Sequence, residues 1–270
     1  MAEDKSVFGR KVFFIAPGII FEQQVIERLR LMEYEVYAIE DYRKAKPLIR
    51  KNADSICFCI IESQLTLKGW HSFIKSFEDE GVFKPLDMGV IIHTLTDEKH
   101  ASFVSGLQLD AGIIRMDQNQ ELMFREIVKA LDAKQAKGLR KYVRVNCLNE
   151  SQADLLWLNG NRMCKLKIID ISSVGLAAKL SAGQANTVYI NQIIDGATIN
   201  LKTIQVSVDI KITAIKAAGD FLLVVIMFNA STTPAAITKI RSYIAENLQE
   251  ALNSQIRNAD LDRTDYEIIE

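Results

Sequence analysis

Histidine and cysteine are scarce in this sequence, with three and four in 270 residues. His71, His93 and His100 are far apart and form no HExxH or i, i+4 pair, whereas a zinc site needs about four convergent ligands. No metal site or cofactor is expected. Cys57, Cys59, Cys147 and Cys164 show no CxxC spacing and lie in apolar runs, so they read as buried, reduced thiols of a cytoplasmic protein. An excess of one charge is missing too: 33 Lys and Arg against 34 Asp and Glu leave a formal net charge of −1. No global basic field points to DNA or a membrane surface, and any anion must be held locally. No apolar run reaches the roughly eighteen residues that span a bilayer, and the longest, Phe221–Phe228, is strand-sized. The opening MAEDKSVFGRKVFF lacks the long apolar stretch of a secretion signal. Neither GxGxxG nor GxxxxGK[ST] follows the first apolar run, so neither a dinucleotide fold nor a P-loop is supported.

What is present is apolar residue, 49% of the chain, ample for two cores. Residues 11–16 read as a strand, broken by Pro17-Gly18. Phe21, Val25, Leu29 and Met32 then recur at helical spacing and predict a helix ending near Glu33. A strand over 35–39, a helix over 42–51 bent at Pro47, and a strand over 55–61 follow. The last is apolar throughout, as a central parallel strand buried on both faces is. Trp70, Phe73, Ile74 and Phe77 predict a core-facing helix. Strands over 89–94 and 113–115 alternate with helices over 101–109 and 119–136. Five βα units argue an open, doubly wound, parallel five-stranded sheet over residues 1–137.

This order, with the run LDAGIIRMD before the last helix, resembles the receiver domain of two-component regulators. The resemblance implies a carboxylate cluster after the first strand to hold Mg²⁺ and an Asp ending the third. Here Ala16-Pro17-Gly18 occupies the first place, and the nearest acid to the second is Glu62. The receiver's Thr after strand four corresponds to Thr94 or Thr96, and its Lys after strand five to Arg115 or Met116. Without the acids there is no metal and no phosphoryl transfer. A phosphorylation-incompetent pseudo-receiver is expected, used as a surface for a protein partner.

Past this half the period changes from 3.6 to 2. The connector 134–139 holds Gly138 and two lysines with no strong core anchor, and is expected to be loosely held. Strands are predicted over 142–148, 165–171, 175–180, 198–204, 206–212 and 221–228, with a turn region over 150–160 and a polar loop through Gly183 and Asn186. Ile215 breaks the alternation and suggests a bulge. Six antiparallel strands on tight connections argue a small closed β-barrel, which also removes sheet edges. Thr233-Pro234 opens a helix with Thr as cap and Pro first. Its stripe of Ile237, Ile240, Ile244, Leu248 and Leu252 must lie on something apolar. The acidic tail, 256–270, is expected to be a solvated end.

The chemistry concentrates where the halves meet. In Arg140-Lys141-Tyr142-Val143-Arg144 two guanidiniums lie four residues apart, and Asp170-Ile171-Ser172-Ser173-Val174-Gly175 follows a strand later. Arg suits bidentate recognition of phosphate and of the O6/N7 edge of guanine. Asp accepts from amino or imino donors, Ser does either, and Gly permits φ > 0 and close backbone approach. Together they read as a receptor for a guanine nucleotide rich in phosphate.

RxxxR followed about thirty residues later by (D/N)xSxxG resembles the PilZ family, whose members bind cyclic di-GMP. Arg140, Arg144, Asp170, Ser172 and Gly175 match every defining position, and the likeness covers roughly residues 138–252. It implies a six-stranded barrel with a trailing helix over 138–255, with arginines on guanine edges and phosphates and the Asp-Ser turn on base and ribose. No paired carboxylates or Ser-His pair accompany these residues, so binding without turnover is expected. The expected function is a cytoplasmic cyclic di-GMP receptor that relays occupancy to a protein partner, in motility regulation or a related process. The alternatives are a PilZ-like scaffold that binds no nucleotide and a phosphorylation-driven regulator, against which the missing acids argue.

Overall fold

The computed structural model describes residues 9–93, 95–181, 188–202, 204–257 and 260–268; Thr94 and the loop through Gly183 and Asn186 lie outside them. Two compact units divide the chain: residues up to Lys141 together with those from Gln249 onward, and Tyr142–Leu248.

In the first unit the short apolar runs form β1 (Lys11–Ile15), β2 (Val36–Ile39), β3 (Ser55–Ile61), β4 (Asp87–Ile92) and β5 (Gly112–Arg115), all parallel in the order β2-β1-β3-β4-β5. Central β3 is buried along its whole length, as its unbroken apolar run requires. Helix α1 spans 19–31, with a π-helical stretch Glu22–Ile26 between α-helical ends; α2 spans 42–50; α3 is Leu67–Glu78, α4 Asp97–Val104 and α5 Gln120–Ala133. Strand alternation puts Val12, Phe14, Ile56, Phe58 and Ile60 on one face, packed with Phe21, Val25 and Leu29 of α1 and Phe124, Ile127 and Leu131 of α5. Burial pushes the Cys57 thiol up to about 12, the signature of an inert core cysteine.

The exposed edge of β2 is closed by a side chain. The Ala38 N–H donates to Gln249 Oε1 at 3.0 Å, and Gln249 Nε2 donates to the Ala38 carbonyl at 2.9 Å. A primary amide thus imitates a neighbouring strand at Ala38 and occupies both of the groups that this residue would offer to another chain.

Two expectations for this unit need correction. The connector is anchored through Ala136: its carbonyl accepts from Arg10 N at 2.9 Å, its side chain is buried, and Lys134 pairs with Asp87 at 2.6 Å. Composition alone hides these long-range partners. The C-terminal tail is held to the unit rather than free over 262–268: backbone contacts tie it down and Tyr266 is buried in an aromatic cluster, while most of its other side chains stay exposed.

The second unit is the closed antiparallel barrel. Around it run β7 (Ala153–Asn159), β8 (Arg162–Ser172), β9 (Gly175–Ser181), β12 (Phe221–Phe228), β11 (Ile204–Ala218) and β10 (Ile193–Leu201), which returns to β7. A short β6 (Arg144–Asn146) continues the β7 edge by pairing with the end of β8. The expected turn region 150–160 therefore contains a strand: Ala153, Leu155 and Trp157 point inward in period 2, a signal masked by the apolar Leu156 and Leu158 between them. A register shift between Ile212 and Ala214 is the bulge that Ile215 suggested. Helix α6 (Pro234–Arg257) opens with Ala236 N donating to Thr233 Oγ1 at 3.3 Å. Ala236, Ile240, Tyr243 and Ile244 then enter the barrel's core beside Leu166, Ile199 and Val224, so the stripe finds its apolar surface.

Candidate functional site

A bulge presents the acidic residue of the motif. Ile168 and Ile171 are fully buried, and a regular strand would turn Asp170, two residues past Ile168, inward as well. The β8–β9 register shifts between Ile168 and Asp170, so the extra residue, Ile169, resets the alternation and Asp170 emerges on the outer surface. Strand β6 then lies alongside, with Arg144 opposite Ser172 and Asn146 opposite Asp170. Arg144 Nη1 donates to Asp170 Oδ1 at 3.2 Å, and the two side chains stay 42% and 30% exposed. The carboxylate steadies the guanidinium while leaving most of its donors free.

The other half of the motif builds the turn. Ser172 and Gly175 close a two-residue hairpin over Ser173-Val174. Ser172 is only 1% exposed. Its hydroxyl donates to the Gly175 carbonyl at 3.0 Å and lies 3.5 Å from Val174 N as acceptor. The hydroxyl is thus engaged inside the turn. Gly175 does not have positive φ. Its need is space, because a Cβ there would stand 2.2 Å from the Ile226 carbonyl of neighbouring β12.

Arg140 lies in the segment assigned to the first unit and is exposed. Four residues of chain hold its Cα within about 14 Å of that of Arg144. The segment around it is open, with Leu139 76% exposed.

Sequence reasoning passed over two further cations. Lys167 on β8 and Lys179 on β9 stand directly opposite each other on the outer surface, next to the Asp170–Ala177 pair. Like charges in that relation repel. Each is relieved by its surroundings: Lys167 Nζ donates to the Glu150 carbonyl, and Lys179 Nζ lies 4.4 Å from the Phe221 ring centroid. Their signal was the alternation of KLKI and AAKL, which turns both lysines outward. Arg144, Lys167 and Lys179 thus lie on neighbouring β6, β8 and β9, with Asp170 beside Arg144.

In the first unit, Ala16 adopts φ 55° at the end of β1. An added Cβ on Gly18 would stand 3.8 Å from Glu62 Oε2, so Glu62 looks over the place where receivers keep their acids. Arg115 pairs with Asp117 at 3.2 Å, and the Thr96 side chain does not cap α4. Among the described residues no group of three His, Cys, Asp or Glu side chains could hold a metal ion.

No protein-family model and no curated protein matches the chain. Among solved structures it is similar to the PilZ domain of YcgR from Escherichia coli with c-di-GMP, at 13% identity and a TM-score of 0.38, over 44% of this chain and 98% of that one. It is similar also to YcgR from Escherichia coli in complex with c-di-GMP, at 15% identity and TM-score 0.39, over 45% of this chain and 51% of that one. It thus spans about half the length of that protein. A likeness of another kind is to the chemotaxis protein CheY4 of Vibrio cholerae, at 19% identity and TM-score 0.36, over 46% of this chain and 98% of that one.

Proposed function

We propose that this protein is a cytoplasmic receptor for cyclic di-GMP, which binds on the outer surface of the barrel without being turned over. The observation that carries the reading is the Arg144–Asp170 pair, displayed outward by the β8 bulge within the ordered motif RxxxR and DxSxxG. Arg140 and Arg144 supply forked donors to phosphate and to the O6/N7 edge of guanine. Asp170 accepts from guanine N–H groups, while Ser172 and Gly175 hold the turn that aims it. Lys167 and Lys179 add positive potential for a dianionic ligand. Saturable heat on titrating cyclic di-GMP into the full chain tests this; no heat at millimolar ligand would leave a PilZ-like scaffold that binds no nucleotide.

The charge of Asp170 separates two roles. If it accepts from the base, Asp170→Asn weakens binding by about tenfold, the magnitude of one hydrogen bond to a charged group. Should the Asn variant bind more tightly, Asp170 would be only a competitor for Arg144, and its assignment to the base would be wrong.

The place of Arg140 in the chain, just ahead of the barrel's first strand, supports a relay to a protein partner. Gripping Arg140 and Arg144 together restrains the exposed stretch 139–142 ahead of β6, and the receptor state is shifted by no more than the ligand's preference for the restrained form. Amide exchange across 139–142 is expected to slow at saturating ligand, with 134–136, already anchored, unchanged. Equal exchange with and without ligand would sink the relay and leave binding intact.

A further inference from the structure

Gly69 sits in the first turn of α3, where glycine disfavours a helix, and its neighbours in sequence give no reason for it. The reason comes from the far end of the chain: a Cβ on Gly69 would stand 2.2 Å from the carbonyl oxygen of Glu267. Residues 262–268 lie along this face as a strap, with a local turn in which Thr264 N donates to Asp262 Oδ1 at 3.0 Å. Asp262 N donates to the Arg43 carbonyl at 2.8 Å, and Thr66 N donates to the Glu267 carbonyl at 2.9 Å. Ile268 forms an antiparallel bridge with Leu65. Between these backbone contacts one side chain goes in. Tyr266 is 5% exposed, edge-on to Phe73 and Tyr42 with ring centroids 5.5 and 6.1 Å away, and Trp70 braces both. Its hydroxyl donates to Ser76 Oγ at 3.1 Å. Asp260, Leu261, Arg263, Thr264, Asp265, Glu267 and Ile268 remain exposed.

Backbone pairing plus one anchor side chain in a pocket is how a protein surface holds an extended peptide. We infer that the face made by residues 42–43, 65–69 and the rings of Tyr42 and Phe73 is a peptide-recognition groove. Its ligand is this chain's own segment 260–268, bound in cis and releasable. Release is cheap because a single buried ring and a few backbone bonds hold the strap, the profile of a segment that opens locally while the rest stays folded. The recognised chemistry is an acidic peptide with Tyr four residues after Asp, with Glu267 meeting Lys68 Nζ at 3.9 Å.

The test uses the full chain carrying Tyr266→Ala, its fold checked by circular dichroism and melting, and a fluorescent peptide of residues 260–268. The peptide is expected to bind this variant saturably in anisotropy, and the wild type at least tenfold more weakly because its own strap competes. A peptide with Tyr266→Ala should not bind, one with Tyr266→Phe should, and adding Gly69→Ala to the protein should abolish binding. No saturable binding to the folded variant, or equal binding to the wild type, would overturn the groove. If Tyr266→Ala does not fold, Gly69→Ala alone serves: faster amide exchange over 262–268 with α3 protected supports the strap, and unchanged exchange refutes it. A concentration-dependent dimer of the wild type that Tyr266→Ala dissolves would overturn the cis assignment in favour of a second copy.

Discussion

The double variant Arg140→Ala/Arg144→Ala is expected to lose cyclic di-GMP affinity by about a hundredfold or more. Each charge-assisted contact contributes on the order of 1.5 kcal/mol at least, and two together reach about 3 kcal/mol, which is roughly two decades in Kd. Each single variant should lose about tenfold. Arg144→Lys should bind nearly as poorly as Arg144→Ala, because lysine keeps the charge and loses the planar fork that meets a phosphate or a guanine edge in two places. Neither arginine is buried, so the variants should melt like the wild type, and calorimetry then reads binding alone. A double variant that binds like the wild type would remove this site from the molecule.

Gly175→Ala is expected to act through the barrel. The new methyl would stand 2.2 Å from a backbone oxygen of β12, far inside contact distance, and backbone cannot rotate away as a side-chain tip can. Strands β9 and β12 must separate locally, an overpacking cost of about 1–3 kcal/mol. The urea midpoint should fall with an unchanged slope, and binding should weaken because the Ser173-Val174 turn moves Asp170. Ser172→Ala should show the same pattern in milder form, since the lost bond to the Gly175 carbonyl belongs to the turn. Were Gly175→Ala to melt like the wild type and yet fail to bind, Gly175 would touch the ligand and its placement here as a packing residue would be wrong.

The sequence carried a good deal of this. Period 3.6 located α1, α3 and α5 through triads such as Phe21, Val25 and Leu29, and the unbroken run of β3 announced a strand covered on both faces. Alternation located most of the barrel, and Thr233-Pro234 marked the start of α6. Strand β7 was lost because Leu156 and Leu158 fill its outward positions with apolar residues, so the alternation vanished into a run. The motif residues were legible as a set, but their division of labour was not: Ser172 looks like a donor until its hydroxyl is found inside the turn.

Periodicity and capping are local properties, settled by which residues lie within a turn or two of one another, and the sequence by itself therefore determined most of the element types, the change from alternating strands and helices to a β-rich half, and the candidate arginines. The tertiary structure decided what depends on partners far along the chain. Only the β8–β9 register shows that a bulge at Ile169 turns Asp170 outward to meet Arg144, and only the approach of β12 explains Gly175. Gln249 closing the edge of β2 and Tyr266 entering the aromatic pocket over Gly69 join positions about two hundred residues apart, across loop closures whose cost no local propensity records.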